Sequence, residues 1–279
     1  MEPSSPKRFF RRLSPLAEQG GAIAERSEES PILQVEDLHV AFGSNVVLRG
    51  LNISIRRGDS VAIIGESGCG KTVLLKTLIR LLVPTSGRVI FDGTDLASLT
   101  YFDLSQQQTR YGFVFQQAAL FDSMTVGENI AFPLRQHRRK SEAEIQEMIH
   151  RLLNEVGLAE QTAVKKPGEL SGGMRKRVGF ARALAMEPEL ILYDEPTTGL
   201  DPIMSDVINE LMIETRKHHH ITSIMVTHDM KSVSKVADRI IMLFPVPQLN
   251  EEEPQMIFDG TVEEIRRSVD PRVRQFLGC

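Results

Sequence analysis

The chain has 279 residues, 41% hydrophobic and 25% charged, enough apolar material for a large core in one or two domains. With 33 Lys and Arg against 37 Asp and Glu the net charge is -4, too balanced for a protein whose main partner is nucleic acid. Cys69 and Cys279 are the only cysteines; they give neither a disulfide framework nor the spacing of a zinc site, and a reducing compartment fits best.

The longest apolar runs, such as 240–244, are far short of the roughly 18 to 20 residues that cross a bilayer. The opening segment carries Lys7, Arg8, Arg11 and Arg12 without an apolar stretch of signal-peptide length behind them. Residues 1–31 read as a disordered basic tail; the alternative is that these cations, with Phe9 and Phe10, touch anionic lipid headgroups. Acidic residues from Glu18 onward disfavour an organellar transit peptide.

Folding is expected from about residue 32. Leu33, Val35 and the run 40–42 read as strand, as do Ile53 and Ile55 before a turn at Arg57-Gly58-Asp59. The run 61–64 is continuously apolar, as a strand buried on both faces should be, and leads into a glycine-rich loop. A helix is expected from Thr72 to Leu82, stopped by Pro84 and Ser86-Gly87.

Between about 100 and 185 the periodicity becomes helical, with Ile145, Met148, Ile149, Leu152, Leu153 and Val156 at spacings of three and four. Ser141 and Glu144 make a capping box at the start of that helix, and Gly157 suits its end. This segment reads as a helical subdomain inserted into a sheet domain. Strand character returns at 190–193, 221–226 and 239–243, so the fold class is α/β with a mainly parallel core sheet covered on both faces. The domain is expected over 32–244, with 245–279 as loop and tail; the insert 245–254, bearing Glu251, Glu252 and Glu253, reads as a solvated loop.

Gly65-Glu66-Ser67-Gly68-Cys69-Gly70-Lys71-Thr72 lies between the buried strand and the helix, the context a phosphate-binding loop requires. Its glycines let successive backbone N–H groups point at a polyphosphate, and the helix start adds a favourable dipole. Lys71 suits the β and γ phosphates and the Thr72 hydroxyl suits Mg²⁺. Cys69 reads as a small residue tolerated in the loop rather than a redox sensor. Leu190-Ile191-Leu192-Tyr193-Asp194-Glu195 is an apolar strand ending in two carboxylates: Asp194 suits the metal, and Glu195 can reach an attacking water as general base.

Leu170-Ser171-Gly172-Gly173-Met174 opens another helix and resembles the signature motif of ABC ATPases. The resemblance implies the P-loop ABC ATPase fold, with an antiparallel β subdomain and an inserted helical subdomain, and ATP with Mg²⁺ as ligands. It implies that Ser171, Gly172 and Gly173 contact the γ-phosphate held by a second copy of the chain, so that two copies sandwich the nucleotides. Other family elements follow in order: Gln116 resembles the glutamine that touches Mg²⁺ and water, Gly199-Leu200-Asp201 the D-loop, and His228 the switch histidine. Phe42 stands where the family places an aromatic that stacks on adenine, a core Phe at a strand end being the alternative. Met174 replaces a common Gln. His218-His219-His220 offers no metal site, because consecutive helical side chains diverge.

Phe115-Gln116-Gln117-Ala118-Ala119-Leu120-Phe121, Ala131-Phe132-Pro133-Leu134-Arg135 and the tail from Asp270 to Leu277 resemble the ATPase subunits of Mla-type lipid transporters. That resemblance implies a transmembrane permease, an MCE-type lipid-binding protein, and a peripheral position on the cytoplasmic face of the inner membrane. Leu120, Phe121 and Met124 beside Asp122 and Glu128 mix apolar anchors with a polar rim, as a permease-docking surface or as the subdomain's own core. Alternatives are an importer subunit for amino acids or ions, and a soluble ABC protein. Translation-type members carry two cassettes, whereas one Gly-Lys-Thr loop is present here.

Overall fold

A computed structural model describes residues 30–137 and 140–278, so the basic opening segment lies outside the described residues. β1 (Pro31–Phe42) and β2 (Asn45–Arg56) form an antiparallel hairpin that pairs Leu33 with Ile55 and Val35 with Ile53. The two apolar clusters expected in β1 belong to one strand, whose register shifts around Asp37, where φ is +43°. β3 (Ser60–Ile64) leads through the glycine-rich loop into α1 (Lys71–Leu78). The helix stops earlier than Pro84 suggests, because Arg80 turns left-handed at φ +59° and Leu81 N donates back to Lys76 O. β4 (Ser86–Phe91) and β5 (Thr94–Asp95) complete a four-stranded antiparallel sheet, order β2-β1-β4-β5.

After α2 (Tyr101–Gln108), β6 (Tyr111–Val114) enters the second sheet, so the helical insertion begins beyond residue 114 rather than near 100. Four residues with a central glycine carry too short a pattern to stand out beside the helices. α3 (Val126–His137), α4 (Glu142–Glu155) and α5 (Gly172–Leu184) form the insertion. Ser141 and Glu144 cap α4 reciprocally, and its apolar stripe is buried. β7 (Leu190–Asp194), α6 (Pro202–His219), β8 (Thr222–Val226), α7 (Met230–Val236) and β9 (Arg239–Leu243) follow. The six-stranded sheet has the order β10-β9-β3-β8-β7-β6, with β10 (Met256–Thr261) antiparallel to β9 and the other neighbours parallel.

Every residue of β3, β7 and β8 is buried, and period-two alternation divides them between two cores. Val61 and Ile63 face a cluster shared with the antiparallel sheet and α1, whereas Ala62 and Ile64 face one shared with α3 to α6. At the N-terminal ends of the strands Arg110 pairs with Asp92 and Glu189, and Arg57 joins the same two acids, tying the sheets together.

The chain beyond residue 244 belongs to this architecture and is not a tail. β10 pairs along β9, and α8 (Val262–Arg266) and α9 (Pro271–Leu277) bury Ile265 and Val273 in the larger core. The insert before β10 is also anchored: Arg49 Nη2 donates to Asn250 O and Glu253 O at 2.8 and 2.6 Å. Buried Gln255 donates to Val47 O and Cys69 O at 2.9 and 3.0 Å, bracing the glycine-rich loop from behind. Replacing Ile265 with Ala should therefore cost about 2 to 5 kcal/mol in urea unfolding, the range for a buried large-to-small change. An unchanged midpoint would place this segment outside the cooperative unit.

Candidate active site

β3 ends between β9 and β8, and the loop 65–72 rises from that central position. Gly65 has φ +146°, and a Cβ there would lie 2.2 Å from Leu243 O, so only glycine lets the loop start against β9. At Gly70, φ +96°, a Cβ would lie 2.6 Å from Leu48 Cδ2. Ser67 and Gly68 form the exposed crest, with Glu66 half-buried beside them. Lys71 Nζ donates to Gly65 O and Glu66 O at 2.8 and 2.9 Å, which folds the ammonium across the mouth of the loop. No side chain caps the start of α1, the arrangement in which a helix's first N–H groups can serve an anion. Cys69 is buried, and burial pushes its thiol up despite the Lys71 ammonium, so it stays protonated at neutral pH.

Thr72 Oγ1 donates to Asp194 Oδ1 at 3.0 Å, joining the loop to the end of β7. Asp194 is buried; burial raises its carboxyl, Glu195 adds to the rise, and the Thr72 hydroxyl opposes it. The next residue, Glu195, turns left-handed at φ +48°, and its N–H donates to Val226 O at 2.9 Å. Thr198 Oγ1 donates to Glu195 Oε2 at 2.8 Å, and His228 Nδ1 lies 3.1 Å from Oε1. The His228 side chain is exposed and the Glu195 side chain mostly buried, so the pair faces outward at the C-terminal ends of adjacent parallel strands.

Gln116 is exposed just beyond β6. Ala118 and Ala119 follow at φ +60° and +46°. Phe42 is 52% exposed at the end of β1, which removes the reading of a core residue. Ser171 is an exposed cap that accepts from Met174 N at 3.3 Å, and Asp201 caps α6 by accepting from Met204 N at 2.9 Å. Gly172 is exposed, and buried Gly173 lies against Met204, where a Cβ would fall 2.5 Å from Cε. Among the described residues no hydrogen bond or ion pair joins 171–173 to 65–72. The histidine run disperses: His218 pairs with Glu214, His219 with Glu155, and His220 ends α6 at φ +51°.

The sequence from 48 to 198 matches the ABC transporter family. The chain belongs to that family. It is 39% identical over 88% of its length to the probable ribonucleotide transport ATP-binding protein mkl of Mycobacterium leprae, of which it covers 68%. It is 38% identical, over 88% of its length and 90% of the relative's, to the intermembrane phospholipid transport system ATP-binding protein MlaF of Haemophilus influenzae. Among solved structures, the dimeric post-hydrolysis cassette MJ0796 bound to ADP and Pi matches with a TM-score of 0.70 and 32% identity, over 77% of this chain and 96% of that one. As an ABC ATPase the chain binds and hydrolyses ATP, and the glycine cradle, Lys71 and the uncapped α1 start suit a polyphosphate. The Thr72 hydroxyl and Asp194 carboxylate at 3.0 Å are hard oxygen donors of the kind a Mg²⁺ site uses. Two contacts were missed in the sequence, Thr198 on Glu195 and Lys176 on the loop beyond it, because neither has a local motif to signal it.

The raised carboxyl of Asp194 means that its ionised form is penalised in the folded chain relative to the unfolded one. Above the folded value the full penalty applies, and it disappears as pH falls through the interval to the unfolded value. Asp194→Asn should thus raise the thermal midpoint at pH 7 while abolishing hydrolysis, and the gain should shrink as the buffer is taken through the carboxylate range. A lower midpoint at neutral pH would contradict this account.

Proposed function

We propose that this chain powers an envelope transporter that moves phospholipid or another hydrophobic molecule, working as a pair of copies beneath a membrane permease on the cytoplasmic face of the inner membrane. The observation that carries the catalytic part is the convergence of Lys71, Thr72, Asp194, Glu195 and His228 at neighbouring strand ends. Glu195 accepts the proton of the attacking water as the new phosphorus–oxygen bond forms and the β–γ bridging bond breaks, releasing ADP with the electron pair. Thr198 and His228 each engage one oxygen of that carboxylate, fixing it in a backbone conformation it would not hold alone. Lys71 and the loop N–H groups balance the phosphate charge. Mg²⁺, when bound, would be held by Thr72, Asp194 and Gln116 and would neutralise the β and γ oxygens.

Phe42 offers an exposed ring for the adenine, a stacking face without a hydroxyl. Ser171, Gly172, Gly173 and Asp201 stand at helix starts, and among the described residues no hydrogen bond or ion pair joins them to the chain's own phosphate loop, which supports their serving the nucleotide of a second copy. The dimeric MJ0796 cassette is in keeping with that arrangement. Similarity to MlaF supports a lipid cargo, and the Mla-like runs around Gln116, at 131–135 and at 270–277 carry the expectation of an MCE-type partner.

The permease docks, in this reading, in a groove of about 470 Å³ beside the Gln116 loop, lined by Phe113, Phe115, Phe121, Phe132 and Arg182 among others. Phe121 and Phe132 are 42% and 37% exposed with ring centroids 4.8 Å apart, whereas Leu120 packs on the core. Such an aromatic pair with a polar rim of Asp122 and Glu128 suits an apolar anchor from a partner helix. Phe121→Ala with Phe132→Ala, in the complex reconstituted in phospholipid vesicles, should cut lipid transfer and permease-stimulated hydrolysis by about tenfold or more, the loss of a hot-spot pair, with ATP binding retained. Unchanged transfer by a fully assembled complex would reject the docking site.

A further inference from the structure

α5 is capped by Ser171, assigned above to the nucleotide of a second copy, yet two of its cations end on loops of this chain's own site. Lys176, 8% exposed, donates from Nζ to Pro196 O and Thr198 O, both at 2.7 Å. Those carbonyls lie within the turn that Thr198 N closes on Glu195 O. Arg182 donates from Nη1 to Ala119 O and from Nη2 to Ala118 O, both at 2.8 Å, on the loop that carries Gln116. The same guanidinium lies 5.9 Å from the ring centre of Phe121 in the groove.

Both loops contain left-handed residues that are not glycine: Glu195 at φ +48°, Ala118 at +60° and Ala119 at +46°. Such conformations persist only where the surroundings over-determine them. α5 supplies that restraint on both sides, with side chains whose own burial is costly. Burial lowers the pKa of Arg182 without an opposing carboxylate, and for Lys176 the opposing charge is Glu195 itself. A buried cation that donates only to backbone carbonyls is an expensive way to pack a helix, and one suited to fixing a loop.

We propose that Lys176 and Arg182 are positioning residues: through them the helix that meets the second copy's nucleotide sets the geometry of this chain's own Glu195 turn and Gln116 loop. A rod of about 16 Å from Ser171 to Arg182, at 1.5 Å per residue, then joins three places between which no other hydrogen bond or ion pair runs among the described residues. The proposal rests on the reading of Glu195 as the base.

The test compares full-length wild type, Lys176→Met, Lys176→Arg, Glu195→Gln and the Lys176→Met, Glu195→Gln double variant. Methionine keeps the stem and removes the donors. Lys176→Met should lower kcat about tenfold or more while affinity for a fluorescent ATP analogue stays within about twofold, and Lys176→Arg should recover most of the loss. In single turnover, Lys176→Met should add no further loss to Glu195→Gln, as expected when one residue acts through the other. Normal turnover in Lys176→Met beside an inactive Glu195→Gln overturns the proposal, and so does the same fold-loss in both backgrounds. Near-normal turnover in Glu195→Gln instead rejects the base reading and the proposal with it. Arg182→Met is an independent arm that does not depend on Lys176→Met folding, with Gln116→Ala as its background; the same non-additivity is expected, and additive losses there overturn the role of Arg182.

Discussion

The close approach of backbone to backbone at the end of β3 is the constraint on which the rest of the site depends. Gly65 sits so near the carbonyl of Leu243 that no side chain fits, and this places the loop directly over the centre of the parallel sheet. From there α1 starts without a side-chain cap, Lys71 crosses the mouth, and Thr72 reaches Asp194 on β7, two strands away. The loop is braced from the opposite side by Gln255, which makes the C-terminal segment part of its foundation.

Stability is given up locally to hold this geometry. Asp194 is a carboxylate raised by burial, Glu195 is a left-handed non-glycine, and Lys176 is a buried cation that donates to carbonyls. Each is unfavourable alone, and each sits on an element fixed by two apolar cores that meet on opposite faces of the sheet. Ala118, Ala119 and Glu195 are left-handed in the loops at the C-terminal ends of β6 and β7, where parallel strands present their chemistry. Among the described residues no hydrogen bond or ion pair joins Ser171 to the chain's own phosphate loop, and the proposed second copy gives that helix start its acceptor.

Much of this was legible in the sequence because the chemistry is carried by contiguous runs. The loop 65–72, the carboxylates after 190–193 and the capped helix of Ser141 each announce themselves within about ten residues. The short strands β4, β5, β6 and β10 did not, since a few half-exposed or glycine-containing residues carry no periodicity and become strands only by pairing. The elements after the insert escape notice for a related reason: Gln255 and Val273 gain their meaning from partners far away in sequence. Lys176 and Arg182 carry no local signal, because the loops they hold are distant in sequence.

The central claim is that hydrolysis needs a phosphate loop from one copy and Ser171 from another. A dimer assembled from one Lys71→Ala copy and one Ser171→Arg copy places both lesions in one site and leaves the other intact. Steady-state ATP hydrolysis by that isolated mixed dimer measures the claim directly. The account predicts that both mutant homodimers are inactive and that the mixed dimer regains a substantial part of wild-type turnover. A silent mixed dimer, or a Ser171→Arg homodimer that hydrolyses ATP as fast as the wild type, would contradict it.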